Sequence, residues 1–242
     1  MFERIVFLGG KDIGCKILEH LLLMGEPVKG VVPNKADWPP HNYPPILRNL
    51  SESVHWCHGE NDFDFIKSLE PDIIIVAYYD GILPKEIIDL PKHGCINIHL
   101  ADAEKYRGCY PTVHAIMNGD KEYGVTIHKI DEGIDTGDIY VKWNFPIDEG
   151  VNGKELYDKA THIGFRCFQY FWDVFKEGMI APRKQANGTA IHHKRELPSK
   201  EIEVRGNDKR KILALDFQPH EPCYVQIGKR RYHLIEDTTI KA

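Results

Sequence analysis

An α/β architecture, with a mostly parallel sheet flanked by helices and a small C-terminal β-rich appendage, is what this 242-residue sequence predicts. Three observations lead there. The chain opens with a strand–helix–strand pattern. The segment Asp72–Ala77 is apolar almost throughout, as in a strand buried on both faces. Two later segments, Val125–Ile130 and Ile139–Phe145, alternate in the manner of antiparallel strands.

Taken in order, Ile5–Leu8 is an apolar run that ends in Gly9-Gly10. Ile13, Ile17, Leu18, Leu21 and Leu22 follow at helical spacing and Gly25 closes the pattern. Val28–Val32 reads as the second strand, the opening expected of a doubly wound, Rossmann-like sheet. The loop from Gly9 to Gly14 invites a dinucleotide reading, but Pro33-Asn34 stand where an acidic residue would grip a ribose. Gly10 and Lys11 are instead read as a helix N-terminus that accepts a phosphate or packs closely. Asn34–Asn49, rich in proline and aromatics, reads as a long loop. Val54–Cys57 reads as a short strand, Phe63–Leu69 as a helix, and Cys95–His99 as a further strand. Pro111–Asn118 is predicted helical, and Gly153–Gly178 is the longest helix, with an aromatic stripe that ends in Phe171, Trp172 and Phe175. Beyond Ile180 the texture changes to a polar, basic stretch and then short runs: Ile202–Val204, Ile212–Phe217, Cys223–Ile227 and Tyr232–Ile235. Gly228-Lys229 would turn the last two into a hairpin. The division expected is residues 1–180 as the main domain and 181–242 as a small β-hairpin subdomain.

The composition, 42% hydrophobic and 28% charged, is that of an ordinary globular protein. A net charge of −5 argues against a general nucleic-acid binder. No apolar run approaches membrane-spanning length and the N-terminus does not read as a secretory signal, so a cytoplasmic protein is expected. The six cysteines are scattered, without metal-ligand spacing, and no metal is expected.

Chemistry concentrates between Gly94 and Tyr140. In the strand ending Asn97-Ile98-His99, the amide and the imidazole lie two residues apart and therefore on one face. That pairing suits acyl transfer: the amide can hold a developing oxyanion while the ring accepts a proton. A later turn, Gly133–Asp138, carries Asp135, which could orient the ring if the fold brings the two together. His128, in the strand between, could face the site, but a lone strand histidine is more often a packed or half-exposed residue.

The stretch resembles the formyltransferases that use N10-formyltetrahydrofolate. It carries, in order, Asn97-x-His99, Tyr106-Arg107-Gly108, Gly124–Ile127 and the Asp131–Asp138 pattern Asp-x-Gly-x-Asp-Thr-Gly-Asp. One departure stands out: relatives read Ser-Leu-Leu-Pro where this chain has Ala101-Asp102-Ala103-Glu104. The resemblance implies Asn97, His99 and Asp135 as the catalytic trio. It implies folate binding by Tyr78, Tyr79, Asp80, Gly81, Ile82 and Leu83, mainly through backbone, and by Asp131. Substrate contacts are expected from Gly10, Lys11, Tyr106, Arg107, Gly108 and Tyr110. Among relatives, the nucleotide-sugar N-formyltransferases fit best, because the tail after Phe217 resembles theirs and the acidic balance suits tRNA poorly. That implies a nucleotide-linked amino-dideoxy sugar as substrate, with dTDP-4-amino-4,6-dideoxyglucose foremost, a homodimer, and a place in surface-glycan synthesis. Methionyl-tRNA formyltransferase and a catalytically idle folate-binding module are the alternatives.

Overall fold

A seven-stranded sheet forms the centre of the computed structural model. The structure describes residues 2–34, 47, 54–57, 62–186, 191–193, 197–201, 209–227 and 230–234. The strands are β1 (Ile5–Gly9), β2 (Val28–Val32), β3 (His55–Trp56), β4 (Ile73–Ala77), β5 (Cys95–His99), β7 (Glu122–Lys129) and β8 (Ile139–Pro146). In the order β3-β2-β1-β4-β5-β7-β8, the first five pair in parallel, β7 adds antiparallel to β5, and β8 adds antiparallel to β7. The helices are α1 (Lys11–Leu23), α2 (Asp62–Ser68), α3 (Lys85–Ile88), α4 (Pro111–Asn118), α5 (Gly153–Lys176) and α6 (Lys209–Leu215).

The apolar runs dictate two covered faces. In β1, Ile5 and Phe7 join the core under α1 and α5, while Val6 and Leu8 face the smaller core with Ile66 of α2 and Ile87 of α3. Side chains alternate across a strand, so a run apolar at every position needs helices on both sides. On the larger face α5 contributes Phe168, Phe171 and Trp172, all fully buried, each worth about 1.5–3 kcal/mol of burial or more. The stripe predicted along Gly153–Gly178 is therefore core. Its helix begins with a reciprocal cap: the Asn152 side chain accepts from the Glu155 N–H at 2.9 Å, and the Glu155 carboxylate accepts from the Asn152 N–H at 2.9 Å. Among the described residues no helix is long and apolar enough to cross a membrane.

Past residue 180 the chain differs from the expected string of short strands. Ile212–Phe217, expected as a β run, lies largely within α6, whose buried Ala214 and Leu215 pack toward α4 and α5. The residues Lys-Arg-Lys-Ile-Leu-Ala-Leu are strong helix formers, and here propensity outweighs the short apolar spacing. A strand pair does close the chain, β10 (Tyr224–Ile227) with β11 (Arg230–His233), antiparallel. A short parallel pair, β6 (Arg107–Gly108) with β9 (Ile191–His192), ties the late chain to the Tyr-Arg-Gly segment. Most of the 34–49 loop, the 202–204 run and the 228–229 turn lie outside the described residues.

Candidate active site

The strand that carries the amide and the imidazole sits between a parallel and an antiparallel neighbour. Its register with β7 sets Asn97 directly opposite His128 and His99 opposite Thr126. Ile96 and Ile98 point into the larger core, which leaves Asn97 and His99 on the other face. The chain then returns in a turn closed by a 2.8 Å bond from the Lys129 N–H to the Asp138 carbonyl. Gly137 sits so close to the Lys129 carbonyl that a Cβ would fall 1.9 Å from its oxygen. At the tip, Asp135 adopts a left-handed backbone with φ +52° and turns its carboxylate onto the β5 pair.

That carboxylate is the hub of the cluster. Its Oδ1 accepts from Asn97 Nδ2 at 3.2 Å and lies 3.4 Å from His128 Nε2. Its Oδ2 accepts from the Gly108 N–H at 2.8 Å and lies 3.6 Å from His99 Nδ1. Gly108 can make this contact only as glycine, because at φ +83° a Cβ would stand 2.2 Å from the His192 carbonyl oxygen. Burial would raise the Asp135 carboxyl pKa, but the facing His99 and His128 rings and the Gly108 N–H hold it well below the usual carboxylate range.

The carbonyls around the rings assign their tautomers. Tyr106 O lies 2.7 Å from His99 Nε2 and can only accept, so Nε2 carries a proton and donates. The tautomer is thus fixed by a backbone carbonyl rather than by Asp135, whose 3.6 Å separation from Nδ1 is too long for a hydrogen bond. Nδ1 is left as the nitrogen that exchanges a proton, beside an anion. His128 Nδ1 likewise donates to the Lys129 carbonyl at 2.6 Å, and its Nε2 lies 3.2 Å from Asn97 Nδ2 and 3.4 Å from Asp135 Oδ1. His128, read from the sequence as a packing residue, is therefore a direct partner of Asn97. The antiparallel register of Val125–Ile130 against Cys95–His99 was the signal that could have revealed it.

The remaining expected residues divide into two groups. Ala77 ends β4 beside Ile98, so the loop Tyr78–Leu83 leaves the sheet at the same edge as His99. The Asn34 side chain clamps this loop, donating to the Tyr78 carbonyl at 2.7 Å and accepting from the Asp80 N–H at 2.9 Å. Tyr78 and Ile82, 47% and 77% exposed, present apolar surface there, while Leu83 is buried beneath. Gly81 lies tight against the Tyr79 ring. Gly10 joins the same edge through its N–H to the Ala77 carbonyl, 3.2 Å, with exposed Lys11 next to it. The second group is turned to structural contacts. The Tyr79 hydroxyl donates to Asp62, 2.9 Å, and the Tyr106 hydroxyl donates to Asp120, 2.8 Å. Arg107, buried, donates from Nε to the Ala103 carbonyl at 3.1 Å and from Nη2 to Gln185 Oε1 at 2.7 Å. Asp131 shapes its own turn by accepting from the Thr136 hydroxyl and the Gly133 N–H. Tyr110, partly exposed and left-handed at φ +55°, starts α4.

Comparison with known proteins follows the same lines. The family profile described as formyl transferase matches residues 4–169. The methionyl-tRNA formyltransferase of Geotalea uraniireducens is 34% identical over 197 residues, covering 75% of this chain and 61% of that protein. The chain spans about three fifths of the length of the curated relatives it matches. Among solved structures, a 4-N formyltransferase from Francisella tularensis superposes with a TM-score of 0.78 at 18% identity, over 96% of this chain and 97% of that one. An N-formyltransferase from Helicobacter canadensis, solved with folinic acid and dTDP-3-aminofucose, gives 0.74 at 22% identity, over 96% and 86%.

Proposed function

Since this chain belongs to the formyl transferase family, we propose that it moves a formyl group from N10-formyltetrahydrofolate to the amine of a nucleotide-linked amino-dideoxy sugar, with dTDP-4-amino-4,6-dideoxyglucose as the first candidate. The observation that carries the reading is the single cluster of Asn97, His99 and Asp135 beside the loop Tyr78–Leu83. The loop fits a flat, partly apolar ligand: Tyr78 and Ile82 offer exposed surface, and Asn34 fixes the backbone around them. The folate would supply the activated formyl group. Asn97 Nδ2 offers N–H to an oxygen that gains negative charge; its present bonds, at 3.2 Å, are long enough to yield to a charged acceptor. His99 Nδ1 takes the proton that an attacking amine releases, and the ionised Asp135 stabilises the resulting imidazolium. Because Nε2 is held by the Tyr106 carbonyl, the ring cannot turn away during that step.

Preference for a sugar nucleotide rests on the superposition with the Helicobacter canadensis enzyme, solved with dTDP-3-aminofucose, over 96% of this chain and 86% of that one, and on the net charge of −5. A diphosphate needs few cations and a helix-end amide, which the start of α1 at Lys11 can offer. A tRNA needs an extended cationic surface. The same reading carries a homodimer, which light scattering of the purified protein checks. A second reading, formylation of charged initiator tRNA, is favoured by the 34% identity to methionyl-tRNA formyltransferase. Incubation of the protein with 10-formyltetrahydrofolate and a panel of aminosugar nucleotides, read by product mass, tests the first reading. A panel in which no sugar gains a formyl group would refute it.

A further inference from the structure

Outside the cluster, one side chain joins both strands of backbone that build it. Gln185 donates from Nε2 to the Asp135 carbonyl at 2.9 Å and to the Gly137 carbonyl at 2.7 Å. Its Oε1 accepts from Arg107 Nη2 at 2.7 Å. Arg107 immediately precedes Gly108, whose N–H holds the Asp135 carboxylate. The amide therefore spans the two segments whose relative position sets the carboxylate. Asp135 is a non-glycine residue at φ +52°, a conformation that persists only where neighbours hold it.

Gln185 is itself held on both sides. Before it, Arg183 exchanges backbone bonds of 2.8 Å with Ile139 at the start of β8. Arg183 also reaches Glu104 with Nη1 at 2.8 Å and Nη2 at 3.0 Å. After it, the Ala186 N–H donates to Glu104 Oε1 at 2.9 Å. Glu104 is anchored in turn by Lys142 of β8 at 2.7 Å, and the Arg183 guanidinium keeps its carboxyl well below the usual range. The same departing segment is stapled to β7, where Thr126 Oγ1 accepts from the Ala103 N–H and donates to the Ala101 carbonyl. Within the segment Ala101–Glu104, Glu104 thus supplies the carboxylate that grips the chain around Gln185.

We propose that Gln185 is a positioning residue for the transfer step, which fixes the Asp135–Gly137 turn against Arg107-Gly108, with Glu104 as the tether that keeps it in place. Its effect on turnover rests on the formyl-transfer reading; its effect on the cluster does not.

The test uses the full chain, 10-formyltetrahydrofolate and dTDP-4-amino-4,6-dideoxyglucose, with nitrogen NMR of the His99 and His128 rings as a second readout. Small displacements of a catalytic group cost on the order of 100-fold, so Gln185→Ala should lower kcat by about 10- to 100-fold with the KM for the folate changed by less than about 3-fold. Gln185→Glu keeps an acceptor for Arg107 but turns a carboxylate oxygen on two carbonyls, and should be as impaired as the alanine variant. Glu104→Gln should show a smaller loss in the same direction. Lys184→Ala, next in the chain and exposed, should retain full activity. The ring signals should shift in both Gln185 variants and stay in place in Lys184→Ala. Wild-type turnover and ring signals in Gln185→Ala, or a fully active Gln185→Glu, would overturn the proposal. Should Gln185→Ala fail to fold, Gln185→Glu and Glu104→Gln decide it by the same two readouts. A wild-type protein that formylates no sugar refutes the functional reading instead, and the ring signals still decide the role of Gln185.

Discussion

Asp135→Asn isolates what the buried carboxylate does. The substitution preserves shape but replaces one acceptor oxygen by an NH2 group. Whichever way the new amide is turned, it sets that NH2 against a donor: the Gly108 N–H at the present 2.8 Å, or Asn97 Nδ2 at 3.2 Å. A hydrogen bond to a charged group contributes about 1.5–3 kcal/mol, and a stranded buried donor costs about 1–3 kcal/mol. Relief of the burial cost of the carboxylate offsets part of this, so a net loss of roughly 2–4 kcal/mol is expected at neutral pH. The pH dependence follows from the depressed carboxyl pKa. A folded-state pKa below the unfolded value of about 3.9 gives stability that is complete at neutral pH and lost as pH falls below about 5. The gap between wild type and variant in urea unfolding should therefore narrow as pH falls below about 5. Turnover should fall by about 100- to 1,000-fold, the scale of losing an electrostatic contribution. The Tyr106 carbonyl keeps the His99 tautomer, so the larger loss expected from a misplaced proton does not apply. A stability gap that grows as pH falls below about 5, or a variant within about 0.5 kcal/mol of wild type, would refute the reasoning.

Other substitutions probe the remaining parts. Asn97→Ala should lower kcat by about 100- to 1,000-fold with little change in KM, read by steady-state kinetics; normal turnover would remove Asn97 from the reaction. His128→Phe removes the ring nitrogen that meets Asn97 Nδ2 and should reduce kcat measurably in a protein that still binds 5-formyltetrahydrofolate by calorimetry. Gly108→Ala meets both the positive φ and the His192 carbonyl and should lose more than about 1–2 kcal/mol in urea unfolding. Phe171→Ala, deep under α5, should cost about 3–5 kcal/mol in the same assay while leaving kcat per folded molecule unchanged.

The parallel part of the sheet was legible because its strands are apolar at nearly every position. Ile73–Ala77 and Ile5–Leu8 have no polar face, so only a doubly covered sheet accommodates them. The pairing of Asn97 with His99 followed from strand periodicity alone. Three features were hidden. The role of His128 depends on the β5–β7 register, which no local pattern states. The His99 tautomer depends on a backbone carbonyl seven residues on, and carbonyls leave no mark in a sequence. The bonds of Tyr106 to Asp120 and Asn118, and of Arg107 to Ala103 and Gln185, depend on long-range packing that no motif states. In the C-terminal part, the apolar spacing of Ile212–Phe217 suited a strand as well as a helix, and packing against α4 and α5 decided between them.

The central claim is that the Asn97–His99–Asp135 cluster formylates a sugar amine, and a competition assay tests it most directly. The protein is given 10-formyltetrahydrofolate together with dTDP-4-amino-4,6-dideoxyglucose and charged initiator tRNA, at rising salt, and both products are quantified by mass. The account predicts formylated sugar, with a rate that depends only weakly on salt and is lost in Asn97→Ala. Formylation of the tRNA alone, falling steeply as salt rises, would contradict it.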